Sequence, residues 1–121
     1  MSVPVALEEL ARRVDEYGPH PFLVTAGEDR RGHVVSVAAT FDGQRFSFAA
    51  GRTSRANLAG SGSATLVWST IGGPYTLIVD GDAHVAADDA PVTVTPTRAV
   101  LHRLAGAPDD LPTCVRIEPS S

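Results

Sequence analysis

Short β-type segments separated by tight-turn signals occupy most of this sequence, and they constrain the fold more than any other feature. The dipeptide Asp42-Gly43 and the tripeptide Gly72-Gly73-Pro74 are typical of hairpin turns. Sequential short strands joined by such turns favour an antiparallel sheet that closes, wholly or in part, into a barrel. The apolar and β-branched runs that predict these strands lie at 22–26, 33–40, 44–50, 63–71 and 75–86.

The second half of the chain predicts further extended structure. Asp80-Gly81-Asp82 interrupts a long strand and predicts a β-bulge there. Residues 92–96 look extended, whereas 97–104 fit either a strand or a helical turn. The alternation in 113–117 predicts a last strand that could lie at a sheet edge.

Two helices are predicted. Leu7, Leu10 and Val14 recur at helical spacing, which predicts an amphipathic helix at about 4–17 that stops at Gly18-Pro19. A short helix from Thr53 to about Gly60 follows the third strand. The whole chain, 1–121, is therefore predicted to be a single domain, mainly β with short helices, with an antiparallel split barrel at about 20–118.

Composition excludes several kinds of function. A net charge of −4 provides no electrostatic surface for nucleic acid or an anionic membrane. All ten cationic side chains are arginine, so no lysine is present to form a Schiff base. The single Cys114 excludes an intramolecular disulfide, and the four histidines have no metal-ligand spacing, so no metal site is assigned. Because no segment resembles a signal peptide or a membrane span, a cytoplasmic protein is expected.

One stretch carries the pattern of an anion site. Gly51 follows an apolar strand and precedes Arg52, Thr53, Ser54 and Arg55. Gly51 permits positive φ, and Thr53 or Ser54 is a suitable N-cap. Exposed N–H groups at a helix start carry partial positive charge, and neighbouring arginines add to it, so the stretch predicts a phosphate cradle.

The order of these segments resembles the flavin-binding split-barrel superfamily, the pyridoxamine 5′-phosphate oxidase-like proteins, and in particular small actinobacterial members. The segments that carry the resemblance are Phe22-Leu23-Val24-Thr25, His33-Val34-Val35-Ser36-Val37, Gly51-Arg52-Thr53-Ser54-Arg55-Ala56-Asn57-Leu58, Ala64-Thr65-Leu66-Val67-Trp68, Tyr75-Thr76-Leu77-Ile78-Val79-Asp80-Gly81 and residues 95–103. Family members often place a lysine in the phosphate-binding segment, and arginine replaces it here.

The resemblance implies that a homodimer binds FMN at its interface. Arg52, Thr53, Ser54 and Arg55 would hold the phosphate, and Asn57 belongs to the same motif. The backbone of Val35, Ser36 and Val37 would follow the isoalloxazine, with Ala49 and Ala50 beneath it, and Gly51 would also contact the cofactor. Trp68 and Thr70 would flank the cofactor edge, although for Trp68 a place in the core is an equal alternative.

Three functions follow as alternatives. The first is an FMN-dependent oxidoreductase that acts on a small molecule. The second is a deazaflavin-dependent reductase, whose cofactor has an acidic tail that would need Arg30, Arg31 or Arg98. The third is a non-catalytic flavin- or haem-binding or storage protein. No catalytic side chain is identified, because the cofactor would carry the chemistry.

Overall fold

The chain folds around one curved sheet whose strands are mostly antiparallel. The computed structural model describes residues 2–4, 7–87, 89–106 and 114–118. The mainly β class with short helices is confirmed. In chain order the elements are β1 (Ser2–Pro4), α1 (Leu7–Tyr17), β2 (Phe22–Ala26), β3 (Gly32–Ser36), β4 (Ala39–Phe41), β5 (Phe46–Phe48), α2 (Arg52–Ser61), β6 (Ser63–Trp68), β7 (Tyr75–His84), β8 (Val92–Arg103) and β9 (Cys114–Glu118).

The two longest strands, β7 and β8, hold the sheet together. The strand order is β1-β9-β8-β7-β6-β2-β3, and β7 pairs antiparallel along almost the whole of β8. The other edge of β8 is shared: its first residues pair with β5 (Phe46 with Val94), and its later residues pair with β9 (Ala99 with Ile117). One long strand therefore joins two smaller groups of strands. Residues 97–103, left open between strand and helix, are strand.

A bulge bends this long pair where the sequence predicts it. The register of β7 against β8 shifts between Asp80 and Gly81. A Cβ at Gly81 would lie 2.5 Å from the Thr95 carbonyl oxygen and 2.6 Å from Val94 Cγ1. Only glycine lets the two backbones approach so closely, which explains the residue at this position.

The core is one cluster of buried apolar side chains, to which helix α1 contributes Leu10, which is fully buried. In this small domain each large apolar side chain contributes about 1.5–3 kcal/mol by burial. Neither helix in the described ranges is long and apolar enough to cross a membrane. The largest fully buried core side chains include Trp68, Phe46, Leu23, Leu58, Leu66, Leu77, Val79, Val92 and Val94.

The N-terminal region differs from the prediction. Helix α1 begins at Leu7 rather than at about residue 4, and it ends before Gly18, which has a φ of 97°. Ser2–Pro4 instead forms β1, which pairs parallel to β9. The last strand is therefore covered on both edges. Pairing with a distant strand decides this, and the local pattern does not show it.

The predicted strand at 33–40 is divided in two. Strand β3 ends at Ser36. The Val37 N–H still donates to the Pro21 carbonyl at 3.0 Å, and the Ala39 N–H donates to the Pro19 carbonyl at 2.8 Å, but a proline has no N–H with which to return the bond, so the ladder stops. After this break, β4 pairs with β5 instead of with β2.

The Asp42-Gly43 turn is confirmed. Gly43 has a φ of 95°, and Asp42 Oδ1 accepts hydrogen bonds from the N–H groups of Arg45 and Gln44 at 2.7 and 2.8 Å. These backbone donors stabilise the carboxylate, and they hold the pKa of Asp42 below its ordinary value.

Gly81→Ala tests the bulge. We expect a loss of about 1–3 kcal/mol in the free energy of unfolding, because the new methyl group would push against backbone atoms of β8. The measurement is urea denaturation followed by circular dichroism. Gly60→Ala is the matched control: a Cβ there meets no atom within 4 Å, and alanine in a helix gains up to about 1 kcal/mol over glycine. Equal stability of both variants would contradict this role for Gly81.

Candidate functional site

Helix α2 begins without a side-chain cap. Its N-cap is Gly51, with φ −77° and ψ 177°, and not Thr53 or Ser54 as predicted; Gly51 therefore makes no use of positive φ. The first bond of the helix runs from the Arg55 N–H to the Gly51 carbonyl at 2.9 Å. The N–H groups of residues 52–54 precede this ladder, and the first turn contains no acidic residue. The helix start is therefore an uncompensated positive end.

A cleft of about 290 Å³ lies at this helix start, and we call it the central cleft. It runs between β3, the end of β5 and the first turn of α2. The structure thus brings most of the predicted site residues together, although they come from two separate segments. The predicted residues that line it are Val35, Ser36, Val37, Ala50, Gly51, Arg52, Thr53 and Ser54.

Polar groups in the central cleft suit an anion. The Ser54 residue is only 2% exposed, and its hydroxyl makes no hydrogen bond with any described residue. Because Ser54 lines the cleft, its hydroxyl is available to hydrogen-bond a ligand there. Arg52 and Thr53 are exposed beside it, and no carboxylate lines the cleft.

Arg55 lies elsewhere. Its guanidinium donates to the carbonyl oxygens of Ala90 at 2.9 Å, Ala87 at 2.8 Å and Ala86 at 3.3 Å. The side chain therefore fastens α2 to the turn between β7 and β8. It lines a different cleft of about 310 Å³, with Asp89 and Pro91. This placement does not support the predicted phosphate contact for Arg55.

Asn57 also points away from the central cleft. Its Nδ2 donates to the Thr25 hydroxyl at 3.1 Å, and Thr25 is 5% exposed. This bond fastens α2 to β2. Asn57 lines a third cleft of about 730 Å³, bounded by α2 and the loop between β2 and β3, which we call the hairpin cleft.

The two remaining predicted residues line none of the three clefts. Trp68 is 1% exposed, its Nε1 donates to the Gly18 carbonyl at 2.8 Å, and its ring lies 5.6 Å from that of Phe46. Of the two alternatives for Trp68, the structure supports the core. Thr70 is half-buried just beyond the end of β6.

His33 is a site residue that the sequence did not single out. It lines both the central cleft and the hairpin cleft, together with Thr53. His33 lies on the same face as Val35 of β3 and as Val37 just after it, because side chains two apart in an extended segment share a face. This alternation in the sequence could have identified His33 as a cleft residue. Within the described residues, no group of three or more His, Cys, Asp or Glu side chains is placed to hold a metal ion.

Known proteins share this architecture. A protein from Clostridium acetobutylicum related to general stress protein 26 of B. subtilis, of the pyridoxinephosphate oxidase family, matches with a TM-score of 0.61, 13% identity, 80% of this chain and 87% of the other. The chain has the split-barrel fold. This split barrel also matches an F420 reductase, with a TM-score of 0.55, 16% identity, 66% of this chain and 87% of the other. No family model and no curated protein matches the sequence.

Arg55→Ala tests the fastening role. We expect a loss of about 1.5–3 kcal/mol in the free energy of unfolding, since bonds from a charged donor are removed. Arg52→Ala is the matched control on the same helix turn; it is exposed, and its removal should change stability by less than about 0.5 kcal/mol. Thermal and urea unfolding measure both. A variant at position 55 as stable as the parent would show that the three carbonyl contacts contribute nothing.

Proposed function

We propose that this split barrel binds a flavin-type cofactor in the central cleft and acts as a flavin- or deazaflavin-dependent oxidoreductase. The observation that carries the proposal is the uncapped start of α2, which lies in one cleft with Ser54 and Thr53 and with no carboxylate. Backbone N–H groups at the start of a helix bind phosphate well, so the phosphate of the cofactor would lie there.

The residues present fit such a group. The N–H groups of residues 52–54 and the hydroxyls of Thr53 and Ser54 would donate to phosphate oxygens. Arg52 would add a charge-assisted bond, because it is exposed at the rim and no carboxylate of the cleft competes for it. Val35, Ser36 and Val37 form the adjoining wall, along which the ring system would lie. The bound cofactor would supply hydride or electron transfer, and the chain would supply position and electrostatic field.

A deazaflavin cofactor is the second candidate, and the match to an F420 reductase favours it. Its phosphate would use the same groups. A non-catalytic flavin- or haem-binding role is the third. It has the same binding site but predicts no turnover of a reduced nicotinamide or a reduced deazaflavin.

The absorbance spectrum of the purified protein, followed by mass analysis of the released small molecule, identifies the bound cofactor. An assay of turnover with a reduced nicotinamide or a reduced deazaflavin then separates the enzymatic roles from the non-catalytic one. A flavin or deazaflavin spectrum supports the proposal. A colourless protein that also fails to quench the fluorescence of added FMN or of added deazaflavin cofactor would overturn it.

Arg52→Ala tests the phosphate contact. We expect FMN binding to weaken by about 1.5–3 kcal/mol, the contribution of a charge-assisted hydrogen bond, while riboflavin binding stays unchanged because riboflavin has no phosphate. Fluorescence titration measures both affinities. Arg45→Ala, at an exposed position in the turn before β5, is the control for charge alone. Equal weakening for FMN and riboflavin would mean that Arg52 does not contact the phosphate.

We also propose that a second copy of the chain covers the outer face of the sheet beside this cleft. Ser36, Phe22, Val67 and Ile78 are register partners across β3, β2, β6 and β7. Phe22 is 42% exposed, and Val34 on the same face is 59% exposed. An apolar face of this kind marks an interaction surface.

The size and position of the central cleft favour a second copy of the chain as the partner that covers this face. Its volume of about 290 Å³ is just below the range for small-molecule sites, about 300–1,000 Å³. Ser36 lines the cleft and belongs to the outer face, so a copy seated there would also close the cleft.

Val34→Glu tests the assembly. We expect the variant to be monomeric and to bind FMN more weakly, because a carboxylate would be desolvated at the interface. Light scattering after size exclusion gives the mass. Gln44→Glu, which adds the same charge at the exposed Asp42-Gly43 turn, should stay dimeric. A parent protein that is monomeric by light scattering would contradict the dimer.

A further inference from the structure

The hairpin cleft is the largest of the three clefts around α2, and the proposed function does not use it. Its volume is about 730 Å³, within the range of about 300–1,000 Å³ typical of small-molecule sites. Gly27 and Gly32 bound it on one side, and Ala56, Asn57 and Gly60 of α2 bound it on the other.

The hairpin cleft continues directly from the central cleft. His33 and Thr53 line both cavities, so the two meet at the start of α2. A phosphate held by the N–H groups of residues 52–54 would lie at this junction. The ring system, along Val35 to Val37, would extend from the phosphate in one direction. The hairpin cleft opens in the other direction, where a group joined to the far side of the phosphate would lie.

The charges that line the hairpin cleft determine which groups joined to the phosphate could bind there. Its lining has two carboxylates, Glu28 and Asp29, and one guanidinium, Arg31. Arg31 is already paired with Asp29: the side chains are 3.9 Å apart, and the Arg31 N–H donates to Asp29 Oδ1 at 3.0 Å. The cleft therefore has an excess of negative charge and disfavours an acidic tail.

The other two arginines expected to hold an acidic tail are not in this cleft. Arg98 lies on β8, where it pairs with Asp80 at 3.5 Å. Arg30 belongs to the loop between β2 and β3, but its side chain does not line the cavity. Neutral polar groups do line it: Ser61 is exposed, and Asn57 Oδ1 accepts no hydrogen bond from any described residue. These groups suit a partner that offers hydroxyl or amino donors.

We propose that the hairpin cleft is a subsite for a neutral, nucleoside-like group joined to the cofactor's phosphate, so that the preferred cofactor is a flavin dinucleotide rather than FMN or an acidic-tailed deazaflavin. This inference rests on the proposed function and deepens it. The nucleoside would lie against α2 at Ala56 and Asn57, and the second phosphate would lie near His33 and Thr53.

Ala56→Leu tests the subsite, because a larger side chain would fill the cleft without disturbing the helix. We expect binding of FAD to weaken by about tenfold or more, the effect of losing one or two good contacts, while FMN binding changes by less than about twofold. Ala59→Leu is the matched control: it is exposed on the same helix and lines none of the clefts. Fluorescence titrations with FAD and FMN give the affinities, and thermal unfolding shows that both variants fold.

Glu28→Lys provides a second, independent test. It reverses a charge at an exposed loop position, so binding of the deazaflavin cofactor with its acidic tail should strengthen several-fold at low salt, with FMN unchanged. In the parent, FAD should bind more tightly than either of the other two cofactors.

The outcomes separate the subsite from the proposed function. If FMN binds but Ala56→Leu leaves FAD affinity unchanged, or weakens FMN and FAD equally, the subsite is wrong and the proposed function stands. Tighter binding of the acidic-tailed cofactor than of FAD in the parent would also overturn the subsite. If none of the three cofactors binds, both proposals fail.

Discussion

The pairing of β7 with β8, bent at Gly81, is the interaction on which the rest of the structure depends. Strand β8 has twelve residues, and its free edge is long enough to pair with β5 at one end and β9 at the other. The bend at the bulge separates these two ends. Without it, β5 could not curl over the core while β9 stays in the main sheet. Because α2 follows β5 directly, the same bend also decides where the helix start points.

Helix α2 is fixed by hydrogen bonds to two other parts of the fold, and neither bond uses the side chains of its first two residues. Arg55 bonds to carbonyls of the turn after β7, and Asn57 bonds to Thr25 on β2. Residues two apart on a helix point in different directions, so alternate side chains of one short motif have different tasks. Arg52 and Thr53, which make no such bonds, remain at the rim of the central cleft. Within six residues, the side chains that fasten the helix are thus separate from those that line the central cleft.

The three clefts around this helix differ in charge, although they share neighbouring residues. No carboxylate lines the central cleft, whereas the hairpin cleft has Glu28 and Asp29, and the cleft beside Arg55 has Asp89. Of these three described clefts, the central cleft at the helix start is therefore the one whose charges favour an anion.

The sequence by itself determined the parts of this protein that local rules control. The Asp42-Gly43 turn, the bulge at Gly81, most strands and the helix after β5 follow from turn chemistry and periodicity, which act between residues close in the chain. The gathering of residues 35–37 with 50–54 in one cleft was expected only from the resemblance to a family. The tertiary structure alone decided the contacts between distant segments. Arg55 bonds to backbone carbonyls, Trp68 packs in the core, and β1 pairs with β9. Those outcomes depend on contacts between distant segments, which compete with local preference and have no signature in the neighbouring residues.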